Sequence, residues 1–284
     1  MTALFLLFLF ALFLVLYPFY VVSKQISGYR EPIEKTPAQW GASFENIDFV
    51  TDDGLVLKGW WIPGKGRKAV MLLHGKSGSR NGYHSGIFDL GQWYHSRGYH
   101  VMMADMRAHG ESGGKYVYFG VRESCDMLGW LRKIDPLGEY RWVLHGFSLG
   151  AVTAMMMLER EPALFGKVVA DAPWIDFEML VKSELKKRAH LPPFTYPYVA
   201  WIAQNFFGQD FRAADNRGRC RRLCGRPILY IREEEDALLP PWHWRLLERA
   251  CPQAKVALFE GVGHVEAFTE CPRRYTKLLE AEGL

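Results

Sequence analysis

The stretch Gly146-Phe147-Ser148-Leu149-Gly150 decides the reading of this chain. It follows the compact apolar run Arg141–His145 and opens Leu149–Glu161, which has helical periodicity. A strand that turns into a helix within a few residues forces the central residue into a strained backbone conformation. Small neighbours two positions away keep so tight a turn free of clashes. The Ser148 hydroxyl is thereby lifted above the sheet beside a helix N-terminus, and the Leu149 N–H points to where an oxyanion would form. This context predicts a nucleophile.

Outward from that turn, short β-rich runs alternate with helical stretches. Glu45–Thr51 and Leu55–Ile62 flank Asp52-Asp53-Gly54, a hairpin signal. Ala69–His74, His100–Asp105, Arg141–His145, Lys167–Asp171, Pro227–Arg232 and Lys255–Glu260 have the length and Val/Leu/Met content of buried parallel strands. Val121–Ile134 has helical spacing. A hairpin followed by repeated βα units predicts an α/β fold, an eight-stranded, mostly parallel sheet with helices on both faces. About 50 residues intervene between Asp171 and Pro227, too many for an ordinary connection, so they are expected to form a helical piece of their own.

A serine hydroxyl needs a base to take its proton and an acid to orient that base. In this architecture the chain order is Ser, acid, His. Of nine histidines, only His190, His243 and His264 follow Ser148. His190 falls in the insertion and His243 early in a helix. His264, in Gly261-Val262-Gly263-His264, lies in a flexible loop after the last predicted strand, free to swing toward Ser148. It is the expected base. Asp236, at the carboxyl end of the second-last strand, is the expected acid. Asp171, ending the strand before, is its competitor.

A second oxyanion donor is expected from the loop His74-Gly75-Lys76-Ser77-Gly78, through the Lys76 N–H. Gly75-Lys76-Ser77 suggests a phosphate-binding loop, but the position where that motif needs its first glycine is Val70. His74 precedes Ser148 and reads as structural.

Composition narrows the alternatives. The 284 residues include 35 Lys+Arg and 31 Asp+Glu, a formal charge of +4, with 49% apolar residues. That excludes a disordered chain and, without a dense basic stripe, argues against a nucleic-acid partner. Five scattered cysteines cannot all pair, and Cys220-x-x-x-Cys224 lacks the second ligand pair of a zinc site. Neither a disulfide scaffold nor a structural zinc is expected.

Together His74-Gly75, Asp105-Met106-Arg107-Ala108-His109-Gly110-Glu111-Ser112-Gly113, the Ser148 turn and the Asp236 and His264 loops resemble the α/β-hydrolase superfamily across residues 45–284. The likeness is to bacterial membrane-anchored hydrolases and, more distantly, to eukaryotic membrane-associated acyl-protein thioesterases of this fold. The resemblance implies a serine hydrolase acting on esters, thioesters or amides, with no metal or organic cofactor. Two departures stand out. Ala108 replaces a usual glycine, where little effect is expected, and Glu233 stands where such proteins often have the glycine of the turn before the acid.

The insertion, about residues 174–225, then reads as a cap over the pocket. Phe177, Leu180, Val181 and Leu185 recur at helical spacing, and Leu191–Phe207 is dense in proline and aromatics. Trp174, Phe177, Leu180 and Trp201 are the candidate substrate-binding residues, although packing of the cap on the core would need the same composition. Lys76, Arg80 and Trp174 are placed near the pocket mouth, where a cation would favour an acidic leaving group.

The N-terminus differs in kind. From Ala3 to Val22 every residue is apolar or aromatic, and about 20 residues at 1.5 Å span roughly 30 Å, the thickness of a bilayer's hydrocarbon core. Residues 1–23 are therefore expected to be an uncleaved membrane anchor, with Pro18 in its last turn, and 24–44 a linker. Lys24, Arg30 and Lys35 favour a cytoplasmic domain behind it. The function expected is cleavage of a carboxylic ester or thioester, a small or lipid-like acyl substrate, through an acyl-enzyme on Ser148. The alternatives are a serine peptidase or amidase of the same fold and an inactive membrane-tethered binding protein. Nothing in the sequence determines the oligomeric state.

Overall fold

The computed structural model describes residues 2–82 and 84–284. Met1 and Tyr83 lie outside it. Eight strands form one sheet in the order β1-β2-β4-β3-β5-β6-β7-β8. They are β1 (Glu45–Val50), β2 (Val56–Ile62), β3 (Lys68–Leu73), β4 (His100–Ala104), β5 (Arg141–Phe147), β6 (Phe165–Asp171), β7 (Ile228–Glu233) and β8 (Lys255–Phe259). β1 and β2 pair antiparallel across Asp52-Asp53-Gly54, and β2 runs antiparallel to β4. All other pairings are parallel.

The helices are α1 (Thr2–Ile26), α2 (Ile87–Ser96), α3 (Val121–Ile134), α4 (Leu149–Arg160), α5 (Phe177–Arg188), α6 (Tyr196–Phe207), α7 (Arg217–Arg222), α8 (Pro241–Ala250), α9 (Ala267–Glu270) and α10 (Pro272–Ala281). Alternation along β3 shows how both faces of the sheet are covered. Val70 and Leu72 pack with Leu90 and Tyr94 of α2 and Leu279 of α10, whereas Ala69, Met71 and Leu73 join the core that holds α3 and α4. Because side chains alternate across a strand, a strand buried on both faces must be apolar throughout, as these are.

The Asp105–Gly113 loop is tied at several points. The buried Asp105 carboxylate accepts from the Arg80 backbone N–H (2.7 Å), the Arg80 guanidinium (2.5 Å) and the Glu111 N–H (3.0 Å). Ala108 adopts φ 65°, so the alanine is not neutral there. An L-residue in the left-handed region costs about 1–2 kcal/mol.

At the N-terminus, α1 runs on past residue 23 to Ile26, and Pro18 sits two turns inside it. Its last turns are extended by packing: Val21, Val22 and Ile26 are buried in the core shared with the cap. Residues 27–30 also lie on the body, where Arg30 donates to the carbonyls of Gly110 (3.1 Å) and Gly114 (2.7 Å). One disulfide, Cys224–Cys251, joins the chain just after α7 to the chain just after α8.

Candidate active site

The turn at Ser148 has the geometry its glycines require. Ser148 adopts φ 50° and ψ −107°, a sparsely populated region that costs about 1–3 kcal/mol. A Cβ on Gly146 would lie 2.2 Å from the Gly150 carbonyl, and one on Gly150 would lie 2.1 Å from the Leu73 carbonyl oxygen. Backbone fills both spaces. The turn is pinned to the next strand by the Ser148 N–H, which donates to the Asp171 carbonyl at 2.8 Å.

Ser148 Oγ lies 2.9 Å from His264 Nε2, and His264 Nδ1 lies 2.6 Å from Asp236 Oδ2. Three side chains far apart in the chain thus meet within hydrogen-bond reach. Asp236 is buried, and its other oxygen accepts the N–H groups of Leu238 and Leu239, both at 2.8 Å. Burial alone would push this carboxyl up, but the His264 ring and the two N–H donors hold it below the usual carboxylate range. It therefore stays an anion that can fix the imidazole tautomer.

The loop carrying His264 is anchored rather than free. The Glu235 N–H donates to the Val262 carbonyl (3.0 Å), and Glu266 accepts from the Gly263 N–H (3.1 Å). No swing is needed, because the ring is already in place.

The competing residues are engaged elsewhere. His243 Nε2 accepts the Ile175 N–H, and burial lowers its pKa to about 4, so it is a neutral tie at the start of the cap. His190 is exposed. His74 accepts the Met106 N–H on Nε2 (3.0 Å) and donates from Nδ1 to the Gly75 carbonyl (2.8 Å), a structural role.

Asp171 receives the Tyr275 hydroxyl at 2.6 Å, away from the base, and faces Glu233. Burial and the Asp171 charge push the Glu233 carboxyl far above its usual range. Neither Glu233 oxygen, nor Asp171 Oδ1, has a donor among the described residues, an arrangement that favours a proton on the Glu233 carboxyl beside Asp171. Glu233 folds inward and leaves Asp236 undisturbed.

For the oxyanion, Leu149 is the first residue of α4, and its N–H is one of those a helix leaves without an internal acceptor. The Lys76 N–H has no acceptor among the described residues. Lys76 and Leu149 both line the pocket that holds Ser148 and His264. Gly75 brings that loop close to Ser148, since a Cβ there would stand 3.6 Å from Ser148 Cβ.

The pocket has a volume of about 260 Å³. Trp174, Phe177 and Leu180 line it, but Trp201 does not. Trp201 faces outward on α6, 51% exposed and stacked on Tyr198, because the inner face of that helix is taken by Val199, Ile202 and Ala203. Arg80 is also absent from the mouth. It is buried, paired with Asp105 and Glu111, and lies over the Trp60 ring.

Sequence reasoning missed several parts of the wall, Phe211 and Leu238 among them. Phe119, at φ 51°, packs on Phe177 and Phe211. Val21, Val22, Gln25 and Ile26 of α1 line the pocket as well. No local signal marks Phe119. For α1 the clue was an apolar run that continues to the edge of the domain.

The profile described as alpha/beta hydrolase fold matches residues 68–217. An uncharacterised membrane protein of Saccharomyces cerevisiae is 22% identical over 82% of this chain and 76% of its own length. The uncharacterised protein YfhR of Salmonella typhi is 29% identical over 92% of this chain and 88% of its own length. Among solved structures, an esterase of Pyrococcus furiosus superposes with a TM-score of 0.74 at 24% identity, covering 90% of this chain and 98% of that one.

Proposed function

The chain belongs to the α/β-hydrolase fold family, and on that premise we propose that it is a membrane-anchored serine hydrolase cleaving a carboxylic ester or thioester. The observation that carries this reading is the 2.9 Å and 2.6 Å relay from Ser148 through His264 to Asp236 at the floor of an apolar pocket. Ser148 attacks the acyl carbonyl while His264 takes its proton, and Asp236 steadies the resulting imidazolium. The N–H groups of Leu149 and Lys76 stabilise the tetrahedral oxyanion. His264 then returns the proton to the leaving group, and water activated by the same ring releases the acid. This chemistry needs no metal or organic cofactor. Trp174, Phe177 and Leu180 hold the acyl part, and α1 anchors the chain, supported by the 23-residue span Leu4–Ile26, long and apolar enough to cross a membrane.

The test is covalent labelling. A fluorophosphonate probe is expected to modify Ser148 and to leave Ser148→Ala unlabelled. The substitution should also lower turnover of p-nitrophenyl acyl esters by about 10⁶-fold. Persistent hydrolysis by Ser148→Ala, or a labelled residue other than Ser148, would refute the mechanism. Faster turnover of aminoacyl anilides than of esters would favour a peptidase.

A further inference from the structure

Helix α1 is part of the pocket, and its length sets where the pocket sits. The outer stretch of α1 from Leu4 to Leu16, in which Leu4–Leu9 and Leu12–Leu16 are exposed, spans only about 20 Å. A bilayer's hydrocarbon core is about 30 Å thick. From Tyr17 to Val22 the helix is still uncharged but lies against the cap. The Tyr17 hydroxyl donates to the Ala189 carbonyl (2.9 Å), Phe19 meets Phe206 edge-on with centroids 4.8 Å apart, and Val21 and Val22 are buried. A bilayer that covers the apolar length of α1 therefore reaches the cap.

The cap face at that depth is apolar and aromatic. Trp201 is 51% exposed and Phe206 58%, their rings 5.6 Å apart, while Tyr198 donates to the Val15 carbonyl at 3.3 Å, and Phe194, in the turn that leads into α6, is 80% exposed. Tryptophan and tyrosine are the side chains that favour the membrane–water interface. Behind this face lies the pocket, walled by Val21 and Val22 of α1 and by Leu180 and Val181 of α5, with Ser148 at its floor.

We propose that the pocket is loaded sideways from the membrane. The Phe194–Trp201–Phe206 face rests in the interface, and an acyl lipid of the adjacent leaflet passes its chain between the last turns of α1 and the Leu180–Val181 side of α5 to Ser148. This rests on the anchored serine hydrolase reading and adds to it the source of the substrate. α1 is then a wall of the site and not only a tether.

The experiment uses the full chain in phosphatidylcholine vesicles and has two arms. In the first, vesicles carry brominated phosphatidylcholine, and fluorescence quenching is compared between the wild type and Trp201→Phe. The emission lost in Trp201→Phe should be emission that the bromines quench. In the second, Trp201→Glu is assayed on a palmitoyl ester held in the vesicles and on a water-soluble acetate ester. The palmitoyl rate should fall at least about 10-fold, with the acetate rate within about twofold.

No quenching of Trp201, or an unchanged palmitoyl rate, overturns the proposal. Unquenched Trp201 together with a cross-linked dimer would give this face to a second copy instead. If Trp201→Glu loses both rates it has misfolded, and Phe194→Glu, at a more exposed site, decides by the same readout. Wild type that hydrolyses neither ester sinks the serine hydrolase reading, while the quenching arm still decides the docking surface. A chain recovered in the soluble fraction without detergent sinks the anchor.

Discussion

Glu233 takes a position that a glycine would leave empty, and its burial makes it a proton store. Below about pH 4.5, the ordinary value for glutamate, folded and unfolded chains both hold this proton. Above it the unfolded carboxyl ionises while the folded one, raised by burial and by Asp171, stays protonated. Stability is thus fully present below the unfolded value and declines as pH rises, by about 1.4 kcal/mol per pH unit for one such group. Glu233→Gln cannot ionise in either state and can still donate to Asp171. Thermal unfolding should therefore depend less on pH between 5 and 9 in this variant. At pH 9 it should exceed the wild type by at least about 1 kcal/mol, roughly 2–4 °C in a domain of this size. Parallel melting curves for the two proteins would show that Glu233 is not held protonated.

At the scale of elements, the β5–turn–α4 unit sets the position of Ser148 by exclusion of volume. Gly150→Ala would push a methyl into the Leu73 carbonyl at 2.1 Å, where only movement of β3 against α4 could make room. Gly75→Ala meets the Phe147 carbonyl at 3.5 Å, an ordinary contact. The expected outcome is loss of soluble folded protein for Gly150→Ala and a folded Gly75→Ala, read by expression yield and circular dichroism. Normal yields for both would mean that the turn is looser than its geometry. Local patterns of the same kind placed Val121–Ile134 and the β1–β2 hairpin close to their observed bounds. The cap had no such signal for which face of α6 turns inward. Val199, Ile202 and Ala203 took it, and Trp201 was left outside.

Across the whole molecule, Cys224–Cys251 closes a segment of 27 residues at the amino ends of β7 and β8, opposite the sheet edge that carries Ser148. Loop-closure entropy gives such a bond about 3–4 kcal/mol. Disulfides persist in oxidising compartments and are rare in the cytosol, so this pair weighs against the cytoplasmic face that Lys24, Arg30 and Lys35 favour. Thiol alkylation followed by mass spectrometry on protein taken from intact membranes should find Cys224 and Cys251 blocked until reduction. Reduction should lower the melting temperature without changing turnover of a soluble ester at 25 °C. Free thiols at both positions in the native membrane would return the domain to the cytoplasmic side.

Some properties of this protein were written in neighbouring residues, and others arose only when distant ones met. The order of strands and helices, the strained serine between two glycines, and the acid and histidine that follow it depend on patterns a few residues long. Burial period, turn chemistry and chain order constrain such patterns directly, so they were readable. Which aromatic lines the pocket, where Arg80 spends its charge, how Glu233 is neutralised and that α1 walls the site depend on contacts between residues 25 to 183 apart. Those contacts are set by packing in three dimensions, where an apolar side chain fits any apolar surface and only the assembled fold selects one.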